Sequence, residues 1–254
     1  MKKKLLPASL VSLAALALGQ PALSMPIIVD GGALQDIFDS IDLDNLDPTD
    51  PDDQFFNGGE WAVSGSGGSI SRVIAEGGNN RLANGVGDPA LNGVISFGLY
   101  QLGTPRGERL ELFSSATSGP GSVLSFSLDE QFNVYINNDP TGFVLPGNKF
   151  GFYISDGVNT WFSDFMQNPN MDAHVVVYQG NGEQIDLPGA PAGNFGPGEY
   201  ILAWELSPLA EGQRLYDDFV VFVESIDKLP EPGSLALTGL GLLGLGFGAR
   251  RRRR

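Results

Sequence analysis

The 254-residue chain has no cysteine, a single histidine, and half as many basic residues as acidic ones, 15 against 30. With no thiol there is no disulfide framework, no Cys-ligated zinc or iron–sulfur site and no cysteine nucleophile. One imidazole, His174, leaves no His-rich metal centre. The formal net charge of −15 argues against a nucleic-acid partner, because binding phosphates depends on Lys and Arg displacing counterions. What is there in quantity is apolar: 42% hydrophobic and 10% aromatic residues, enough to build a core and too many for a disordered acidic chain. The length suits one domain, or at most two small ones.

The two ends read as addresses. Met1 is followed by Lys2, Lys3 and Lys4, a largely apolar stretch from Leu5 to Leu18, and then Gln20-Pro21-Ala22-Leu23-Ser24. A basic start, a short apolar run and a small-x-small site predict a signal peptide over residues 1–24, cut between Ser24 and Met25. An uncleaved membrane anchor is the alternative. The other end, residues 229–254, runs Leu229-Pro230-Glu231-Pro232-Gly233-Ser234, an apolar run from Leu235 to Ala249, and Arg250, Arg251, Arg252, Arg253 and Arg254. As a helix, those 15 residues reach about 22 Å, short of the roughly 30 Å hydrocarbon core. Gly239, Gly241, Gly244, Gly246 and Gly248 weaken that helix further. The arginines would hold the extreme end in the cytoplasm and leave the body across the membrane, the orientation that the leading lysines also give.

This tripartite tail resembles the PEP-CTERM sorting signal of Gram-negative bacteria: a Pro-Glu-Pro motif, a short hydrophobic transmembrane helix and a basic cluster. The resemblance implies recognition by an exosortase, a membrane protease-transpeptidase-like enzyme, near Pro230-Glu231-Pro232. It implies transient inner-membrane insertion, loss of the tail, and release of the body or its attachment to surface material, often in bacteria that make exopolysaccharide. A plain single-pass anchor is the other reading. Either way the charge is unevenly spread. Lys2 to Lys4 and Arg250 to Arg254 carry eight of the 15 basic residues, so the mature body, if it keeps Glu231, holds seven against 30 acidic ones, near −23. Such a body stays soluble by self-repulsion and offers carboxylates to divalent ions.

Residues 25–58 read as a short helix and an acidic segment. Leu34, Ile37, Phe38 and Ile41 stand at i, i+3, i+4 and i+7, an amphipathic stripe. From Asp42 to Asp53, six carboxylates crowd into twelve residues. Asp42, Asp44 and Asp47 could supply oxygens to calcium, although Leu46 and Asp47 stand where an EF-hand loop needs its third ligand and its glycine. A solvated acidic linker is the other reading.

Residues 59–227 carry short β-rich runs: 60–64, 70–75, 94–101, 109–115, 122–128, 132–137, 149–155, 174–178, 200–206 and 218–224. Turn clusters such as Pro120-Gly121 and Asn138-Asp139-Pro140 separate them. The fold expected is mainly β, an antiparallel β-sandwich or jelly-roll-like domain, with a short N-terminal helix and helical terminal tails.

Four segments in the last third follow a recurring order: Gly151-Phe152-Tyr153, Asn168 to Val175, Trp204-Glu205, and Tyr216-Asp217-Asp218-Phe219. They resemble an uncharacterised domain of secreted bacterial proteins, in which an N-x-D…H-V strand pairs with a W-E-D strand and the domain ends in G-D-R-D-Y-N-D. That resemblance implies a calcium site joining two late strands, in which Glu205 and Asp218 survive and Asp217 stands where the pattern has Asn, so the site would be depleted. Leu206 replaces one acid of the pattern, and Gln213 and Leu215 replace two more. Taken on their own, Glu205 and Asp218 are carboxylates in apolar strands, which demand a partner when buried; calcium, Arg214 or simple exposure would each answer.

Catalytic signatures are thin. No G-x-S-x-G elbow singles out a serine to work with His174, which reads as a strand-end residue bonded to a carboxylate or a carbonyl. Carboxylate pairs for glycoside hydrolysis can be drawn from Glu108, Glu111, Asp129, Glu130 or Glu205, as in any acidic protein. Of the three tryptophans, Trp161 lies nearest a turn and is the candidate sugar-stacking platform. The chain therefore reads as a non-enzymatic, exported structural or interaction protein of the cell surface or extracellular matrix. A carbohydrate-binding module is the first alternative and a secreted polysaccharide hydrolase the second.

Overall fold

The computed structural model describes residues 27–30, 32–43, 45–56, 59–64, 68–76, 94–102, 108–207, 209 and 214–229. The expected signal peptide, the expected sorting tail beyond Leu229 and Asp44 lie outside them. The first regular element is α1 (Gly32–Asp39), the one α-helix among the described residues. Its stripe works as the spacing predicts: Leu34 and Phe38 are fully buried and Ile41 follows them inward.

Sixteen strands follow among the described residues: β1 (Gln54–Phe56), β2 (Trp61–Val63), β3 (Ser69–Glu76), β4 (Ser96–Gln101), β5 (Arg109–Ser114), β6 (Val123–Leu128), β7 (Asn133–Ile136), β8 (Asp139–Val144), β9 (Phe150–Ser155), β10 (Thr160–Phe162), β11 (Val175–Gln179), β12 (Glu183–Ile185), β13 (Gly193–Phe195), β14 (Glu199–Trp204), β15 (Phe219–Glu224) and β16 (Ile226–Lys228). Each of the ten runs read from the sequence carries one of them. β8 escapes that reading because Asp139-Pro140 is turn chemistry; Pro140 stands in a strand that closes one end of its sheet, where a missing N–H is tolerated. Asn137 and Asn138, at φ 51° and 70°, form the two-residue turn that leads into it.

All the pairings are antiparallel. Eight strands form one sheet in the order β1-β11-β14-β15-β3-β6-β7-β8. β16-β2-β9-β4-β5 form a second, with β10 also on β9, and β12 and β13 make a separate ribbon. The two large sheets share one apolar cluster, because alternate residues of both turn the same way. Phe97 of β4 lies 5.5 Å from Phe219 of β15 and 6.1 Å from Trp204 of β14, ring centre to ring centre. Trp61 of β2 lies 5.0 Å from Tyr200 of β14. Burying each of these rings stabilises the stack by about 1.5–3 kcal/mol.

The opposite face of the eight-stranded sheet is covered too. Val176, Tyr178, Ile201, Ala203, Val220 and Phe222 point away from the first core and meet α1, the acidic segment and the ribbon. Phe38 packs edge-on against Tyr178 at 4.9 Å. Within the acidic segment the chemistry alternates: Ile41, Leu43 and Leu46 are buried while Asp42 and Asp47 are exposed. That run is therefore not the solvated linker its charge suggested, because its apolar residues pin it to the sheet. No helix among the described residues is long and apolar enough to cross a membrane, and the apolar run 235–249 lies outside them.

Candidate functional site

Where β14 and β15 leave the sheet, the ladder ends on the pair Trp204↔Phe219. The next residue of each strand is a carboxylate, and both are buried: Glu205 is 3% exposed and Asp218 1%. The backbone keeps them in place. Glu205 N–H donates to His174 O at 3.0 Å, and Asp218 N–H to Trp204 O at 3.1 Å.

The side chains are satisfied by main chain. Glu205 Oε1 accepts from Ser207 N at 3.0 Å, and Oε2 accepts from Leu215 N at 3.1 Å and Tyr216 N at 3.2 Å. Asp218 Oδ2 accepts from Leu206 N at 2.7 Å. Glu205 thus clasps both ends of the connection between β14 and β15. Tyr216, held at φ 51°, closes the clasp by donating its hydroxyl to Ala173 O at 2.7 Å. Burial pushes the Asp218 carboxyl well above the usual carboxylate range, and the adjacent Glu205 charge pushes it the same way.

His174 and Trp161 form the other half of the cluster. Their rings stack face to face, 3.8 Å between centres and 4° from parallel. Trp161 Nε1–H donates to Leu206 O at 3.0 Å. His174 Nδ1 lies 2.7 Å from Glu205 O; a carbonyl only accepts, so the proton sits on Nδ1. Nε2 is buried with no hydrogen-bond partner among the described residues. Burial pushes the His174 pKa down, outweighing the Glu205 carbonyl and the charges of Asp172 and Glu205, which pull it up.

The structure thus gathers Glu205, Asp217, Asp218 and His174 at one end of the eight-stranded sheet, with Asp217 buried beside the other two acids. Backbone N–H groups meet the carboxylate oxygens for which the sequence left calcium, Arg214 or exposure open. The Arg214 main chain is instead tied to Asp30, its N–H donating to Asp30 Oδ2 at 3.1 Å and its carbonyl accepting from Asp30 N at 2.8 Å. Trp161 requires a correction. Expected as an exposed platform, it is 8% exposed and covered by His174, because the three-residue β10 draws it between the sheets. Asp42 and Asp47 stay apart from this cluster, exposed on the acidic segment. The Asp47 carboxyl accepts from Thr49 N and Thr49 Oγ1, bonds that hold its pKa below the usual value. Among the described residues no group of three or more His, Cys, Asp or Glu is arranged to hold a metal ion.

Neither the Trp161–His174 stack nor the Tyr216 bond to Ala173 was legible in the sequence. Tyr216 and Ala173 are 43 positions apart, and Trp161 and His174 meet only where β10 of the smaller sheet comes against the start of β11 in the larger. No protein-family model, curated protein or solved structure matches the chain.

Chemically, the cluster is a clasp. Its polar groups face one another and the backbone, and its hydrogen bonds tie β10, β11 and β14 to the segment that precedes β15.

Proposed function

We propose that this is an exported structural or interaction protein of the cell surface or extracellular matrix, delivered by a signal peptide and processed at its tail by an exosortase. The single observation that carries the reading is the extent of the folded body. The described residues of the main compact unit run from Ile27 to Leu229, inside the interval that cuts after Ser24 and near Pro230-Glu231-Pro232 would leave. Its first described residue is already fastened: Ile27 donates to Gln54 Oε1 at 2.9 Å and accepts from Gln54 Nε2 at 2.8 Å. Its last, Leu229, donates to Glu60 O at 2.9 Å.

The body is read as a β-sandwich of jelly-roll-like form, with two antiparallel sheets stacked on one core in its support. Its partners in this reading are the exosortase and surface material or exopolysaccharide. The buried carboxylates serve as internal clasps, and the exposed acidic surface keeps the body soluble. The test is the intact mass of the protein recovered from culture medium. The expected form begins at Met25 and ends within a few residues of Pro232. A full-length species confined to the membrane fraction would refute the reading.

A further inference from the structure

The last strand is fastened more firmly than its length suggests. The chain passes from β15 in the larger sheet to β16 at the edge of the smaller one through Ser225, which holds φ 58°, a conformation that costs a non-glycine residue free energy. Ser225 is fixed on both sides: its N–H donates to Gly198 O at 3.1 Å and its carbonyl accepts from Ser64 N at 2.9 Å. β16 then pairs with β2 as Ile226↔Val63, Asp227↔Ala62 and Lys228↔Trp61. Beyond the strand, Leu229 N–H continues the pairing to Glu60 O. Ile226 is 0% exposed and belongs to the core between the sheets. A three-residue edge strand is thus held by a kink, by a ladder and by a core side chain.

Pro230 follows directly. A protease takes its substrate as an extended segment whose backbone groups are free to pair with the enzyme. Backbone already in a ladder resists cleavage until it opens. Resting on the sorting reading above, we infer that β16 sets the upstream limit of tail processing: the bond broken lies C-terminal to Pro230, and the mature body keeps Leu229 in its sheet. In hydrolysis the peptide C–N bond breaks, water gives its hydroxyl to the acyl carbon of the body, and the departing tail leaves as an amine carrying the proton. In transfer, an acceptor amine or hydroxyl takes the acyl group and gives its proton to the tail. The leash between the sheet and the new C-terminus is then a few residues, each spanning at most about 3.6 Å.

The experiment has two arms. The full-length chain is treated briefly with subtilisin under native conditions, and fragments are mapped by mass. No early cut is expected between Phe219 and Leu229, while cuts beyond Pro230 are fast. A native-state cut within 225–229 at a comparable rate would overturn the inference. Ile226→Ala, which opens a cavity under the strand, should raise cleavage within 225–229 at least tenfold. Leu229→Pro, which removes the N–H that bonds Glu60 O and restricts Lys228 before it, should raise it several-fold and serves if the first variant fails to fold. Unchanged rates in a folded variant would also overturn it. In the second arm, the C-terminus of the protein exported by its own host is read from its intact mass. An end at Pro230 or later supports the limit. An end before Pro230 refutes the limit and leaves sorting standing. An uncut tail refutes the sorting reading, and the subtilisin map still decides the role of β16.

Discussion

Glu205→Ala is the sharpest probe of the clasp at the end of β14. The carboxylate accepts three backbone N–H bonds between 3.0 and 3.2 Å. Of the donors, Tyr216 is fully buried, so stranding its N–H costs about 1–3 kcal/mol. Ser207 and Leu215 are half-buried and can turn to water, which limits each loss to about 0.5–1.5 kcal/mol. Against this, removing the Glu205 charge relieves Asp218, whose pKa that charge helps to raise. The balance is a destabilisation of about 3 kcal/mol, which for a body of this size lowers Tm by about 6–12 °C. The assay is a thermal melt followed by circular dichroism, with Glu205→Gln as the companion variant. Glutamine keeps one acceptor oxygen, so its loss should be about half as large. A Glu205→Ala protein with a native spectrum and a Tm within about 2 °C of the parent would refute the reasoning. It would mean that water, not the carboxylate, satisfies those donors.

Two further outcomes follow from the same cluster. The raised pKa of Asp218 favours the folded state at low pH, a contribution lost as pH rises from about 3.9 through the folded value. The lowered pKa of His174 has the opposite sense, its contribution being lost as pH falls below about 6.5. Between pH 4 and 6.5 the two slopes oppose, so Asp218→Asn should uncover a fall in stability on acidification of up to about 1.4 kcal/mol per pH unit; urea midpoints that run parallel to the parent across that range would count against it. Trp161→Phe keeps a ring on His174 but leaves Leu206 O without its donor and should cost about 1–2 kcal/mol, whereas Trp161→Ala should cost about 3–5 kcal/mol; urea midpoints check both, and equal losses would show that the stacked ring contributes nothing beyond the indole N–H bond.

How far the sequence could be read depended on how local each signal was. Val175-Val176-Val177 and Val220-Val221-Phe222-Val223 state their strands through residue type alone, since β-branched and aromatic side chains suit a pleated surface. The helix stripe is equally local. β12 and β13 carry Glu183, Gln184, Gly193 and Asn194, letters of loops, and are strands only because they pair with each other and cover the sheet. Trp161 failed for a related reason: Asn159-Thr160 before it reads as a turn, while the partner that buries it stands thirteen positions on. In the acidic segment the carboxylates dominate the composition, but the interleaved Ile41, Leu43 and Leu46 decide its fate. The carboxylates of the cluster were visible as residues. Their partners were not, because a backbone N–H carries no letter.

That last point connects the composition to the fold. A body with seven basic residues cannot give each of its 30 carboxylates a cation, and two that it buries deeply, Glu205 and Asp218, would be costly without partners. The structure resolves this with main chain. Glu205 and Asp218 accept backbone N–H bonds inside, and the same device recurs at the surface. Asp129 caps the turn before β7 through Gln131 N and Asn133 N, Asp156 caps the β9–β10 turn through Val158 N and Asn159 N, and Glu199 accepts from Gly196 N. Each of these bonds closes a connection between strands, so the carboxylates act as turn-formers more than as members of ion pairs. The acidity of this chain is therefore partly structural, and a surplus of negative charge that fixes its own loops remains compatible with a folded, strongly anionic body.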